Sequence, residues 1–446
     1  MGAGAAPEIR YRSDDEYAEH YRELLAEVVR SRLRTTRPVG STLSGGLDSS
    51  SVVCTAQELY RAGRAGGHDF TTFSLVYDGL ECDERDLIQD VQAKYGFAAR
   101  YIPAPPAIAR LRLEASGFQE SPLSANTEFE AVLKAASEAG ARTLLTGEVA
   151  DAFVGGLPLV FDSLLRHARV REAVQRLVRY HRASGEPLRT ILALYCLAPL
   201  LPLRTHKRLM LAYTRRTLRR NESRLLPTWI PVALRDDLGR RHAELWLQQE
   251  RGRRFSNPVR HYESNNLYPA EFARSSAPWS LTLAHPYADR RLHEFLLAVP
   301  PEQKYDPHPE TDLHYAASKY LVRRAMRGML PDSLRTRATK QVFNSVFASE
   351  LERQWPEYEA TFGPSGTSRV AARGYVNREA LWARLQALRG GEVTRDFVCV
   401  VRVVALETWL RTLELPRPQL VTVAPPPFLA AACGPRPGAW PGNRGR

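Results

Sequence analysis

No two cysteines in this sequence stand at the spacing that a metal site or a redox pair needs. Five of them (Cys54, Cys82, Cys196, Cys399 and Cys433) are scattered through 446 residues. Neither a disulfide framework nor a zinc site is therefore expected, and a reducing cytoplasm is the natural compartment. Long apolar runs are missing too. The most apolar stretch, residues 190–203, is too short to span a bilayer and contains Pro199 and Pro202, so it reads as a buried helix and turn with no part at a membrane. Residues 1–21 hold no apolar segment of the kind a secretory leader requires. The phosphate-binding loop of kinases and GTPases is also absent, because no glycine-rich stretch ends in its lysine.

Positive charge is abundant. Lys and Arg number 62 against 49 Asp and Glu, a net charge of +13. Much of it lies between residues 166 and 224, in clusters such as THKR and TRRTLRRNESR. Such a balance admits nucleic acid as a partner. Yet no aromatic stacking platform or recognition motif interleaves with these arginines, so nucleic acid is disfavoured. The basic residues read as a solvated helical face, or as an electropositive entrance for an anionic nucleotide or an acidic peptide.

From residue 36 to 156 the pattern alternates. Strand-like runs (VGSTLS, FTTFSLVY, ARYIPA, ARTLLTG) are separated by helix-like ones (SVVCTAQELYRAG, ERDLIQDVQAKYG, TEFEAVLKAASEAG). This implies an α/β fold with a doubly wound parallel sheet and crossover helices. Such sheets bind ligands beyond the carboxyl ends of their strands. Between residues 157 and 415 strand signals vanish and helical periodicity dominates. The expected organisation is an N-terminal tail over 1–16, an α/β core over 17–156, a mostly helical part over 157–415 and a disordered Pro/Gly-rich tail over 416–446.

One stretch concentrates the chemistry. Residues 41–51, STLSGGLDSSS, place two glycines and six hydroxyls around one aspartate, between a strand and a helix N-terminus. Ser44-Gly45-Gly46 allows a tight turn whose backbone approaches a ligand closely, and Ser49 and Ser50 add donors. A helix N-terminus with such a nest suits phosphate or pyrophosphate. Asp48 would repel that ligand unless a cation lay between them, which points to Mg²⁺.

SGGLDSS is similar to the pyrophosphate-loop signature of the ATP pyrophosphatase (PP-loop) superfamily, in the form found in the synthetase domain of asparagine synthetases. The resemblance extends over residues 17–415. LLTGEVADAFVGG (144–156) resembles the family's SGEGADELFGGY. AHPYADRRLHEFLLAVPPEQK (284–304) resembles its R-x-P-F-L-D segment, and KYLVRRAMRGMLPDSLRTRATK (319–340) its K-x-x-L-R-x-A segment ending R-x-x-K. The resemblance implies a nucleotide alpha hydrolase-like α/β fold and an ATP-dependent ligase: a carboxylate attacks ATP, pyrophosphate leaves, and an amine displaces AMP from the acyl-adenylate. It also implies that residues 44–50 hold the pyrophosphate and that Asp48 and Asp151 are the magnesium carboxylates. Leu43, Leu75, Thr146 and Gly147 would contact the adenosine, partly through backbone. Lys340 would stabilise charge on the α-phosphate, and Glu148 would lie near the reacting acyl group.

The departures from the family pattern sit beside the acyl and amine pockets. Val149 replaces a usual glycine and Ala152 a usual glutamate, while Ala284-His285-Pro286-Tyr287-Ala288-Asp289 replaces Arg-x-Pro-Phe-Leu-Asp. They weigh against aspartate as the substrate. Glutamine-dependent relatives carry an N-terminal glutaminase domain whose nucleophile is a cysteine after the initiator methionine. Here Gly2 follows Met1 and the pyrophosphate loop arrives by residue 44. The nitrogen is then expected from free ammonia, from a partner glutaminase or from an amine on a small-molecule or peptide substrate, unless the sequence is a shortened form of a longer chain. Lactam-forming relatives that close lasso peptides or β-lactams use an internal amine. They form the second reading, ahead of a tRNA-modifying enzyme or an inactive nucleotide-binding homologue.

Overall fold

A computed structural model describes residues 8–104, 127–155, 160–198, 227–235, 275–306, 317–339, 344–390 and 397–414, with scattered positions between 201 and 273 and at 392. The chain enters through helix α1 (Asp14–Arg32), three residues ahead of the boundary expected at residue 17. Its start is fixed by Ser13, whose hydroxyl accepts the Glu16 amide at 3.3 Å, and by three acidic residues in the first turn, which suit the positive helix end. Tyr21, Leu25, Val28 and Val29 form its buried stripe. Residues 8–11, read as tail, are packed against the body: the Ile9 amide donates to the Ala298 carbonyl at 2.9 Å, and Arg10 pairs with the fully buried Glu302 at 2.7 Å.

Four strands then alternate with helices as the sequence pattern requires: β1 (Val39–Thr42), α2 (Leu47–Arg61), β2 (Phe70–Val76), α3 (Arg85–Tyr95), β3 (Ala98–Pro103), α4 (Thr127–Glu138) and β4 (Thr143–Leu145). Among the described residues the sheet is parallel throughout and has five strands in the order β3-β2-β1-β4-β5. The fifth strand corrects the sequence reading. β5 (Thr282–Ala284) comes from the region where no strand was expected, and it pairs with β4 in the register Leu145↔Ala284. Three residues are too few to show a period of two, so only tertiary pairing identifies this strand.

Both faces of the sheet are covered, as parallel strands demand. On one side, Val39, Leu43, Phe70 and Leu145 pack with α1, α2, α3 and the helices Arg290–Ala298 and Tyr320–Ala325. On the other, Phe73 and Leu144 pack with Val132 and Leu133 of α4 and with Leu281. The helical remainder holds two further cores. One joins α6 (Val160–Arg166) and α7 (Val170–Ser184), and the other joins helices between residues 344 and 412. No helix among the described residues is long and apolar enough to cross a membrane. The tail expected over 416–446 lies outside the described residues.

The departure from phenylalanine at residue 287 has a partner in α1. The fully buried Tyr21 hydroxyl donates to the equally buried Tyr287 hydroxyl at 3.2 Å, and burial pushes both phenols well above their usual pKa. Removing one oxygen leaves the other without this partner in an apolar core, which typically costs about 1–3 kcal/mol. We therefore expect Tyr287→Phe to lower unfolding free energy by that amount in a urea titration with an unchanged slope, and Tyr21→Phe/Tyr287→Phe to recover part of it.

Candidate active site

The strand order reverses direction between β1 and β4, which is where an open α/β sheet gathers its ligand loops. Leu43, Leu75 and Thr146 lie at the carboxyl ends of β1, β2 and β4. After β1 the chain bends through Ser44-Gly45-Gly46 and enters α2 at Leu47, so Asp48, Ser49 and Ser50 form the first turn of a helix with Gly46 as its cap. The loop is internally pinned. The Ser44 amide donates to the Ser49 hydroxyl at 3.1 Å, and the two serine hydroxyls are 2.9 Å apart. Ser44 is exposed, whereas Ser50 is wholly buried beneath that open side.

The loop after β4 packs directly on this turn. A Cβ on Gly147 would stand 2.5 Å from the Ser49 amide nitrogen and 2.8 Å from its Cα. Backbone cannot yield to such a contact, so residue 147 must be glycine for the two loops to meet. Gly45 has φ +69° and a Cβ there would stand 2.8 Å from the Cβ of Glu84. Past Gly147 the chain exposes Glu148 and turns through Val149 at φ +74°, which caps α5 (Ala150–Val154). That value explains the glycine usual in the family pattern. The loop keeps its left-handed bend although a β-branched residue occupies it, at a cost of about 1–2 kcal/mol.

The two aspartates converge. Lys319 Nζ lies 2.5 Å from Asp48 Oδ2 and 2.6 Å from Asp151 Oδ1, so one ammonium bridges both loops. Burial works against this charge, but the two carboxylates outweigh it and hold the lysine pKa above its ordinary value. Asp48 is mostly buried, with 18% of its side chain exposed, while Asp151 is 74% exposed. Lys319 itself has φ +59° at the start of helix Tyr320–Ala325, a second non-glycine residue in the left-handed region at this site. In the sequence this lysine only opens the segment 319–340, and nothing there assigns it a role. The signal was its place in that segment; the contact was not foreseeable.

Two carboxylates on separate loops that share one cation suit a divalent ion as well as an ammonium, since Mg²⁺ takes few protein ligands and fills its shell from water and phosphate. Lys340 lies outside the described residues. The segment leading to it is anchored: Arg337 pairs with Glu84 at 2.5 Å, and Arg323 donates to the carbonyls of Arg335 and Arg337 at 2.6 and 3.0 Å. Glu84 is the residue that packs on Gly45, so Arg337 ends beside the Ser44-Gly45-Gly46 turn.

β5 also brings His285, which the sequence marks only as part of a departure from the family pattern, to the end of β4. His285 Nδ1 lies 2.6 Å from Thr146 Oγ1, and the Thr146 amide donates to the Ala284 carbonyl at 3.0 Å, extending the β4–β5 ladder by one step. Burial, with the Arg32 charge as a lesser cause, pushes the imidazole pKa down to about 4. The ring is therefore neutral at physiological pH.

Comparison with known proteins identifies the family. Residues 20–411 match the family described as asparagine synthase, and the chain belongs to that family, whose enzymes are ATP-dependent amide ligases. Amidase chry2 of Gibberella zeae is 30% identical over 156 residues, which are 32% of this chain and 23% of that protein, so the match spans less than a quarter of the relative's length. Among solved structures, the U34-tRNA thiolase NcsA of Methanococcus maripaludis aligns over 58% of this chain and 84% of its own at 14% identity, with a TM-score of 0.26.

The tight seating of the two loops gives a direct test. Gly147→Ala must push them apart, with an overpacking cost of about 1–3 kcal/mol. The expected result is a lower melting temperature together with at least a tenfold loss of ATP affinity by calorimetry.

Proposed function

We propose that this chain joins a carboxylate to an amine at the expense of ATP. The carboxylate oxygen attacks the α-phosphorus, the bond to the β-phosphate oxygen breaks, and pyrophosphate leaves. The amine nitrogen then attacks the acyl carbon of the adenylate, loses a proton, and AMP departs with the acyl oxygen. The observation that carries this reading is the meeting of Asp48 and Asp151 on one cation beside the Ser44-Gly45-Gly46 turn.

Each residue then has a task. The turn and the α2 N-terminus supply backbone donors for the pyrophosphate. Leu43, Leu75 and the Thr146-Gly147 backbone border the adenosine. Asp48 and Asp151 would hold Mg²⁺, which when bound neutralises phosphate charge and orients the leaving group. Glu148, which is exposed, would lie near the reacting acyl group. Lys340 would face the α-phosphate oxygens, where charge builds as the bond breaks.

A second reading concerns the amine. Val149, Ala284 and Tyr287 all depart from the pattern of asparagine-forming enzymes near the acyl pocket. These departures favour a substrate other than aspartate, and with it ring closure by an internal amine on a small molecule or peptide. Free ammonia or a partner glutaminase is the alternative source of nitrogen. The cytoplasm, where ATP is abundant, is the proposed setting.

Two measurements test the assignment. In calorimetry, ATP should bind the protein more tightly with Mg²⁺ than without it, and Asp48→Ala and Asp151→Ala should each lose that increment while keeping a normal circular dichroism spectrum. An undiminished increment in either variant would remove that residue from the metal site. For Lys340, the contact strengthens in the transition state, so its loss should affect rate more than binding. Lys340→Ala is expected to hold ATP affinity within about threefold and to slow pyrophosphate release at least about a hundredfold, equivalent to about 3–4 kcal/mol. Lys340→Arg should recover little of the rate, because a flat guanidinium does not mimic a compact ammonium. Equal losses of affinity and rate would instead make Lys340 a ground-state contact.

A further inference from the structure

The family pattern leaves the residue before its proline unspecified, and in this chain that residue is His285. It is held from both sides. Ala284 before it is the last residue of β5, and Pro286 after it begins a short 3₁₀ turn. His285 therefore has extended backbone angles, φ −108° and ψ 94°, which a following proline favours. The ring is delivered to the carboxyl end of the neighbouring strand β4, 139 residues away in sequence, where it meets the Thr146 hydroxyl.

Thr146 is itself 1% exposed, so its side chain is turned into the protein. Its hydroxyl oxygen also accepts the Glu148 amide at 3.3 Å. Gly147 lies between these anchors, and Glu148 beyond them is exposed. A hydroxyl has one proton and two lone pairs, and a neutral imidazole has one donor and one acceptor. The pair can thus satisfy each other while the hydroxyl still receives the Glu148 amide. The result is a three-point brace from β5 through Thr146 to Glu148, with the Gly147 backbone facing the α2 turn.

We infer that His285 is a positioning residue for the 146–148 loop: acting through the Thr146 hydroxyl, it holds the Gly147 backbone and Glu148 in the geometry that receives ATP and its acyl partner. This rests on the proposed role of that loop in nucleotide binding. It adds a specific agent from the C-terminal half of the chain, a residue that acts through Thr146.

A double-mutant cycle on ATP affinity, measured by calorimetry with the full-length protein and Mg²⁺-ATP, tests the inference. Loss of one well-placed hydrogen bond corresponds to about a tenfold change in affinity. His285→Val and Thr146→Val should each weaken ATP binding by about that factor. The double variant should be no weaker than either single one, because both remove the same brace. His285→Asn, which places a polar atom near the position of Nδ1, should stay within about threefold of the parent, while His285→Gln, which places it near Nε2, should not. A cycle in which the two losses multiply would overturn the inference, as would unchanged affinity in His285→Val. If Thr146→Val binds ATP normally, the fault lies with the nucleotide role of the loop, and the inference falls with it. Should His285→Val melt well below the parent, the Asn and Gln pair decides the matter: equal affinities there would reduce His285 to core packing.

Discussion

Two carboxylates set side by side at the end of a sheet repel each other unless a cation stands between them. Much of this molecule can be understood as the means of bringing Asp48, Asp151 and Lys319 together. One aspartate comes from the first turn of α2, the other from the first turn of α5, and the lysine from the start of a helix more than 160 residues later. For the first two to approach, their loops must touch backbone to backbone, and Gly147 leaves the room. For the third to reach them, its backbone takes up a left-handed conformation that lysine does not favour. The two left-handed non-glycine residues at this site are thus Lys319 itself and Val149, two positions before Asp151. Strain in one place is held by good packing elsewhere.

The α/β half of this design was legible because its strands and helices are long enough to show their periods. β1 to β4 and α2 to α4 all fall within a few residues of where apolar spacing places them, and the turn at Ser44-Gly45-Gly46 falls between β1 and α2 as its glycines require. What escaped were elements defined by their partners. β5 has three residues, with one exposed and two partly buried, so nothing in TLA distinguishes it from a loop. The role of Lys319 depends on two acids that are distant in sequence. The consequence of Tyr287 could not be read without knowing that Tyr21 faces it. Residues 8–11 looked like tail because their anchors, Ala298 and Glu302, lie nearly 300 positions away.

Buried charge plays a different part in the helical half. Glu302 is fully buried and receives Arg10 and Arg169 together with the hydroxyl of Ser163, while Arg176 donates to the carbonyls of Glu302 and Tyr305. Burying this carboxylate is costly, and its two arginines and one hydroxyl offset that cost together. The network therefore fixes a unique arrangement of the entering segment, α6 and α7 relative to the helices that follow β5.

The position of β5 has a consequence for how the protein comes into being. Strand β4 has β1 on one side and β5 on the other, and the loop leaving β4 is tied to the first residues after β5. A ribosome that has released the first 156 residues has thus delivered the whole α/β motif read from the sequence, yet not a finished sheet. Until residue 284 has emerged, β4 is an edge with unpaired backbone, open to pairing with a neighbouring nascent chain. The loop leaving β4 reaches its final setting only when the later half of the polypeptide returns to close that edge and brings His285 to Thr146.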